Sequence, residues 1–144
     1  MREPGVVVAL RDGDHVEELM KLACQMSRGT NAPLIALHVV EVSLALDLDA
    51  DSEVLDRDGK AILARAREVA SRLLSKEIST RLLRAREAGP AIVSEAMDQG
   101  ADLLILGYHQ KPVIREAMLG STVQHVARHA PCRVIIQVLP SKRS

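Results

Sequence analysis

Asp102-Leu103-Leu104-Ile105-Leu106 is an apolar run behind a single acid, closed by Gly107; further on, Gly120-Ser121-Thr122 opens an amphipathic stretch that Pro131 ends before Arg133-Val134-Ile135-Ile136-Gln137-Val138-Leu139. A short continuous apolar run bounded by turn residues reads as a strand buried on both faces. Strand, loop, helix over residues 120–130 and strand over residues 133–139 then make one parallel unit, because parallel neighbours need a crossover and a helix supplies it.

The same alternation extends towards the amino terminus. Residues 6–10 are a buried strand ended by the turn cluster Arg11-Asp12-Gly13-Asp14. A helix over residues 15–28 follows, with Val16, Leu19, Met20, Ala23 and Met26 at helical spacing and Gly29 in the position of a helix end. Residues 34–40 form a second strand interrupted by His38, and the acidic stretch 41–58 reads as a solvated loop. The next helix starts near Val54 or Gly59 and ends near Lys76, with Ile62, Ala66, Val69, Ala70, Leu73 and Leu74 inward. Residues 79–88 mix apolar and charged positions as an edge strand does, residues 91–99 are a short helix stopped by Gly100, and residues 107–119 lack periodicity and contain Pro112. The order β-α-β-α-β-α-β-α-β predicts an α/β fold of three layers, a doubly wound parallel sheet with helices on both faces. Ligands bind such sheets at the carboxyl ends of the strands, here residues 10–14, 40–42 and 107 onward.

The composition narrows the function. A chain of 144 residues fits one domain over residues 1–144, and without Trp or Phe and with Tyr108 its one Tyr, the core is aliphatic. Lys plus Arg is 19 and Asp plus Glu is 19, which removes the general attraction on which nucleic-acid binding depends. Cys24 and Cys132 are far apart with no paired spacing, so both read as small apolar residues in a reducing compartment. The run at residues 6–10 is too short for a signal or a membrane span, and the chain is expected to be soluble and cytoplasmic.

Signatures of serine hydrolases, zinc proteases, P-loop enzymes and dinucleotide-binding enzymes are absent, and no catalytic residue is assigned. The informative positions are Gly107, where a backbone at a strand end can be approached closely, and Gly120-Ser121-Thr122, where free helix-terminal N–H groups and two hydroxyls suit a phosphate. The plainer alternative is that Ser121 caps the helix and Gly120 turns the chain. His125 and His129 have the spacing of a metal pair, but no Cys or carboxylate nearby in sequence completes a set, so no metal site is assigned. His38 reads as a hydrogen-bonded core histidine, and the Asp-rich run lacks the spacing of a calcium loop and reads as a solvated lid.

Gly107-Tyr108-His109-Gln110, nine residues to Leu119, Gly120-Ser121, and then His129-Ala130-Pro131-Cys132-Arg133-Val134-Ile135-Ile136 resemble the universal stress protein family. Val6-Val7-Val8-Ala9 and Leu37-His38-Val39-Val40-Glu41 extend the resemblance over almost the whole chain. It implies a five-stranded sheet of order 3-2-1-4-5, an adenine-nucleotide alpha hydrolase-like fold, and a homodimer through the last strand at Val134, Ile135, Ile136 and Val138. In the nucleotide-binding branch it further implies ATP or a related adenine nucleotide, with room for magnesium, lined by Ala9, Arg11, Asp12, Val40, Gly107, His109, Gly120, Ser121 and Thr122. Two positions depart from the pattern: Arg11 replaces the usual acid after strand one, and Gln110 replaces the second loop glycine. Gly89-Pro90 shortens the family's Gly-Asp/Asn-Pro turn, and Lys111 and Arg115 are cations a polyphosphate could meet, although solvated loop cations are the plainer reading.

The leading expectation is therefore a dimeric stress-response module that senses an adenine nucleotide. The alternatives are a nucleotide-free dimerisation domain, such as the cytoplasmic tail of a transporter, and a nucleotide hydrolase using Asp12 with magnesium.

Overall fold

Every residue of the first strand is buried, because the sheet is covered on both faces and β1, Gly5–Ala9, lies at its centre. The structure is a computed structural model that describes residues 5–11, 13–49, 53–109 and 120–140. After a single 3-10 turn at Gly13–His15 come α1 (Val16–Thr30), β2 (Leu34–Glu41), α2 (Glu53–Leu74), β3 (Ser79–Ala85), α3 (Ala88–Asp98), β4 (Ala101–His109), α4 (Ser121–His129) and β5 (Arg133–Leu139). The five strands are parallel in the order β3-β2-β1-β4-β5, as the sequence leads one to expect.

The period of two along each strand sorts side chains into two cores. Val6, Val8, Leu34, Ala36, Leu103 and Ile105 meet α1 and α2 through Leu19, Met20, Ala23, Leu63, Ala66 and Ala70. Val7, Ala9, Leu37, Leu104 and Leu106 meet α3 and α4 through Ile92, Val93, Ala96, Val123 and Val126. Strand order reverses between β1 and β4, which pair in the register Val6↔Leu103 to Ala9↔Leu106. The crevice above that reversal is where a ligand has room between the two layers of helices.

Several element boundaries differ from the sequence expectation, β3 ending at Ala85 rather than at residue 88 among them, and four others have a plain physical reason. Gly29 lies inside α1, and the left-handed position that closes the helix is taken by Asn31 at φ 54°. Helix α2 begins at Glu53, so the end of the acidic stretch is helix rather than loop; Glu53 and Asp56 in its first turn complement the positive end of the dipole. Helix α3 begins at Ala88 and takes Gly89 and Pro90 into its first turn, where a missing N–H costs nothing. Strand β4 runs through Gly107 to His109 because β5 keeps pairing it, Gly107↔Gln137, Tyr108↔Val138 and His109↔Leu139.

Buried Ser27 donates from Oγ to the Ala32 carbonyl at 2.6 Å. Buried Glu95 on α3 accepts from Arg81 Nε of β3 at 3.1 Å. Cys24 is buried and Cys132 half-buried, and loss of water around each thiol raises its pKa. Among the described residues no helix is long and apolar enough to cross a membrane.

Candidate functional site

The end of β1 is held in place before any ligand is considered. Leu10 N–H donates to the Leu37 carbonyl at 2.7 Å, which continues the β1–β2 pairing one residue past the strand. His38 Nδ1 donates to the Leu10 carbonyl at 2.7 Å. A carbonyl only accepts, so the imidazole proton sits on Nδ1, and His38 is the hydrogen-bonded core histidine its strand context suggests.

Above β1, β2 and β4 lies a cleft lined by Ala9, Leu37, Val39, Ile92, Leu106 and Val123, with Arg11, His15, Glu41 and Thr122 among the polar residues around it. The strands supply these apolar walls from the α3–α4 side of the sheet, since Leu37 and Val39 share a face with Ala9 and Leu106. A second hollow at the mouth shares Glu41, Ala88 and Thr122 with the first and adds Glu87, Ser121 and His125. The apolar cleft therefore runs on to the start of α4.

Helix α4 begins after Gly120, whose backbone is extended at φ −62° and ψ 160° and which, as the cap residue, brings no side chain to the first amides. Helix α3 likewise starts from Glu87 without a side-chain cap. These helix-terminal N–H groups together with the hydroxyls of Ser121 and Thr122 form a neutral donor set suited to an anion. Gly89 lets the two helices close on each other, for a Cβ there would stand 2.9 Å from the Cβ of His125. The rings of His125 and His129 lie 4.4 Å apart between centroids and tilt by 37°, so the pair packs together on α4.

The residues singled out from sequence divide into three groups. Ala9, Arg11, Gly107 and Thr122 line the cleft, and Ser121 lines its mouth beside Gly120, which ends the loop before α4. Val40 is buried and lines a groove with His38, Leu55, Asp58 and Ile62 but not the cleft, whereas its neighbours Val39 and Glu41 line both. His109 ends β4, and Asp12, Gln110, Lys111 and Arg115 lie outside the described residues. The sequence reading passed over His15, Leu37, Val39, Ile92, Leu106 and Val123; counting alternate positions back from Ala9 and along β2 would have found the strand members.

The two motif glycines serve different ends. A Cβ on Gly107 would meet Leu139 Cδ1 at 2.6 Å and Leu19 Cδ1 at 3.2 Å, so the space a side chain would take is filled by packing on the α1 side, while the residue itself lines the cleft. Among the described residues, a Cβ on Gly120 would meet nothing within 4 Å.

Comparison with known proteins agrees with this architecture. The family model described as the universal stress protein family matches residues 5–137. The chain is 31% identical to a universal stress protein of Methanocaldococcus jannaschii, over 94% of this chain and 83% of that one. It superposes with TM-score 0.74 and 22% identity on the universal stress protein from Archaeoglobus fulgidus in complex with dAMP, covering 94% of this chain and 98% of that chain. A universal stress protein in complex with cAMP superposes with TM-score 0.70 and 25% identity, covering 95% and 98%.

Proposed function

This chain belongs to the universal stress protein family, and on that premise we propose that it binds an adenine nucleotide in the cleft over β1, β2 and β4, as a sensing module rather than as a catalyst. One observation carries the reading: an apolar cleft between the helix layers is continuous with the start of α4, where the cap residue is a glycine and Ser121 and Thr122 add hydroxyl donors. A purine offers flat apolar faces to Leu37, Val39, Ile92, Leu106 and Val123, and its phosphate is the anion that helix-terminal amides favour. Two solved relatives, named as complexes with dAMP and cAMP, are consistent with that ligand class.

Arg11 stands exposed at the lip of the cleft. A guanidinium there pairs with phosphate or carboxylate oxygens through its planar fork, so an AMP-type ligand meets charge from both sides of the cleft, the helix start and Arg11. ATP with magnesium is the larger version of the same ligand, and Glu41 and Glu87 along the mouth are oxygen donors of the kind magnesium takes. In this proposal Gly107 and His109 supply backbone at the end of β4, Ala9 and Val40 the ends of β1 and β2, and Gly120 the approach to the phosphate. Asp12 keeps its place in the proposed set from sequence alone.

The proposed assembly is a homodimer through β5, whose Val134, Ile135 and Ile136 are half-buried and whose Val138 is 57% exposed on an edge strand. A cytoplasmic stress-response setting completes the reading. Arg11 also favours a second one, a nucleotide-free dimerisation module, because a cation stands where the family pattern has an acid. The two separate when gently purified protein is denatured and its supernatant is assayed for adenine by absorbance and mass. Stoichiometric adenine nucleotide supports the sensor, and a blank in repeated preparations that also fail to take up added AMP supports the second. Hydrolysis of labelled ATP above the buffer rate would replace sensing by turnover.

A further inference from the structure

Large apolar side chains that stay exposed are concentrated in one place. Among the described residues Leu44, Leu46, Leu48, Val54 and Leu55 all project from the segment between β2 and the first turn of α2, with Leu44 88% and Val54 65% exposed. Leaving a leucine in water forfeits the free energy that burial would bring, so a concentration of them in one short segment marks a surface that something covers.

The segment is held, not loose. Arg86 reaches from the end of β3 and donates through Nη1 to the carbonyls of Ser43, of Leu46 at 2.7 Å and of Val42 at 3.4 Å. Arg84 donates to the Leu48 carbonyl at 3.2 Å and pairs with Asp56 at 2.5 Å. Leu46 N–H bonds the Ser43 carbonyl at 3.0 Å, and Ala45 N–H bonds Ser43 Oγ at 3.2 Å. Backbone carbonyls are thus turned inward onto two arginines while the leucines face out.

Charge decides what fits. Glu41, Asp47, Asp49, Glu53 and Asp58 are exposed around the leucines against one exposed cation of the segment, Arg57, and Asp56 is already neutralised by Arg84, so the rim is acidic on balance. Like charge opposes a second copy of the same patch and an anionic membrane surface. It attracts a segment with apolar residues on one side and lysine or arginine on the other, the usual occupant of a helix-binding surface. The groove holding Leu55, Asp58, Ile62 and Val40 adjoins the patch and gives one anchoring side chain a place to enter. The patch lies on the β2–β3 side of the sheet, at the opposite edge from β5, so chains paired through β5 leave it open.

We propose that Leu44, Leu46, Leu48, Val54 and Leu55, within their acidic rim, form a docking surface for a basic amphipathic helix of a partner protein. The inference does not depend on nucleotide binding. The test titrates a labelled synthetic amphipathic helix of leucine and lysine into the full chain, with a leucine–glutamate helix and a scrambled leucine–lysine peptide as controls. The leucine–lysine helix should bind, the triple variant Leu44→Ser, Leu46→Ser, Leu48→Ser should weaken it at least about tenfold, and Asp47→Asn with Asp49→Asn should weaken it and flatten its salt dependence. Should the triple variant fail to fold, Leu44→Ser alone, at the most exposed position, carries the same expectation in direction. Equal binding of either control peptide, or unchanged affinity in the leucine variants, overturns the proposal. So does self-association of the chain that the leucine variants abolish, which would make a second copy the occupant, or co-sedimentation with phosphatidylcholine vesicles that they abolish, which would make it a membrane.

Discussion

The end of β4 and the start of α4 each carry a glycine of the same sequence motif, and the two are glycines for opposite reasons. At Gly107 the missing side chain is replaced by Leu139 and Leu19, so the position is full. At Gly120 no described residue would stand within 4 Å of a Cβ, and the glycine itself brings no capping side chain to the helix amides beside it. One glycine is required by packing, and the other adjoins the proposed site. Substitution at the first should be read in stability and at the second in binding, and each experiment below tries to break that division.

The largest effect is expected at Gly107. Gly107→Val forces buried Leu139 and Leu19 out of their positions and should cost about 3 kcal/mol in denaturant unfolding; a loss below about 0.5 kcal/mol would mean that the leucines simply move aside. Gly59 in α2 is a second crowded glycine. An alanine there gains roughly 1 kcal/mol of helix propensity, but its Cβ would meet Leu82 Cδ1 at 2.6 Å and His38 Cδ2 at 2.9 Å. His38 cannot retreat without giving up its bond to Leu10, so Gly59→Ala should destabilise by about 1–2 kcal/mol. The same substitution in a His38→Ala background should be less costly, and a double-mutant cycle without coupling would contradict the packing account.

These crowded positions also mark the limit of what the sequence discloses. The strands announce themselves because residues such as Leu103 to Leu106 are apolar on both faces, and alternation of strand with helix leaves few ways to connect them. Leu19 and Leu139 meet Gly107 from distant parts of the chain, so no local pattern betrays the contact. Val39 and Val40 are chemically alike; only the phase of the strand tells that Val39 reaches the cleft and that Val40 lines the α2 groove alone. Boundaries fail more gently: Asn31 closes α1 two residues after the glycine that seemed to, and the acids before Asp58 start a helix as readily as they solvate a loop.

The smallest effect belongs far from both glycines, on the α1–α2 surface. Arg72 bonds Glu17 at 2.7 Å, and that bond, helped by Lys21, holds the Glu17 carboxyl below the usual glutamate range. A depressed carboxyl stabilises the fold above its ordinary pKa and stops doing so as pH falls through its folded value. Arg72→Ala should therefore move the Glu17 titration, followed by NMR, back towards the ordinary range. The variant should trail the parent slightly in stability at neutral pH and match it in acid. A stability gap that persists in acid would assign the effect to lost packing of the arginine stem instead.

The decisive measurement is a calorimetric titration of AMP into ligand-stripped chain, made side by side on the parent and on Gly120→Ala with Ser121→Ala. The parent should bind, and the variant, losing the Ser121 hydroxyl and gaining one methyl group at position 120, should bind about tenfold more weakly, equivalent to ~1.4 kcal/mol. Its unfolding free energy should shift by less than about 1 kcal/mol. AMP binding with the same affinity in both proteins would place the nucleotide elsewhere and contradict the assignment of the open glycine to the site.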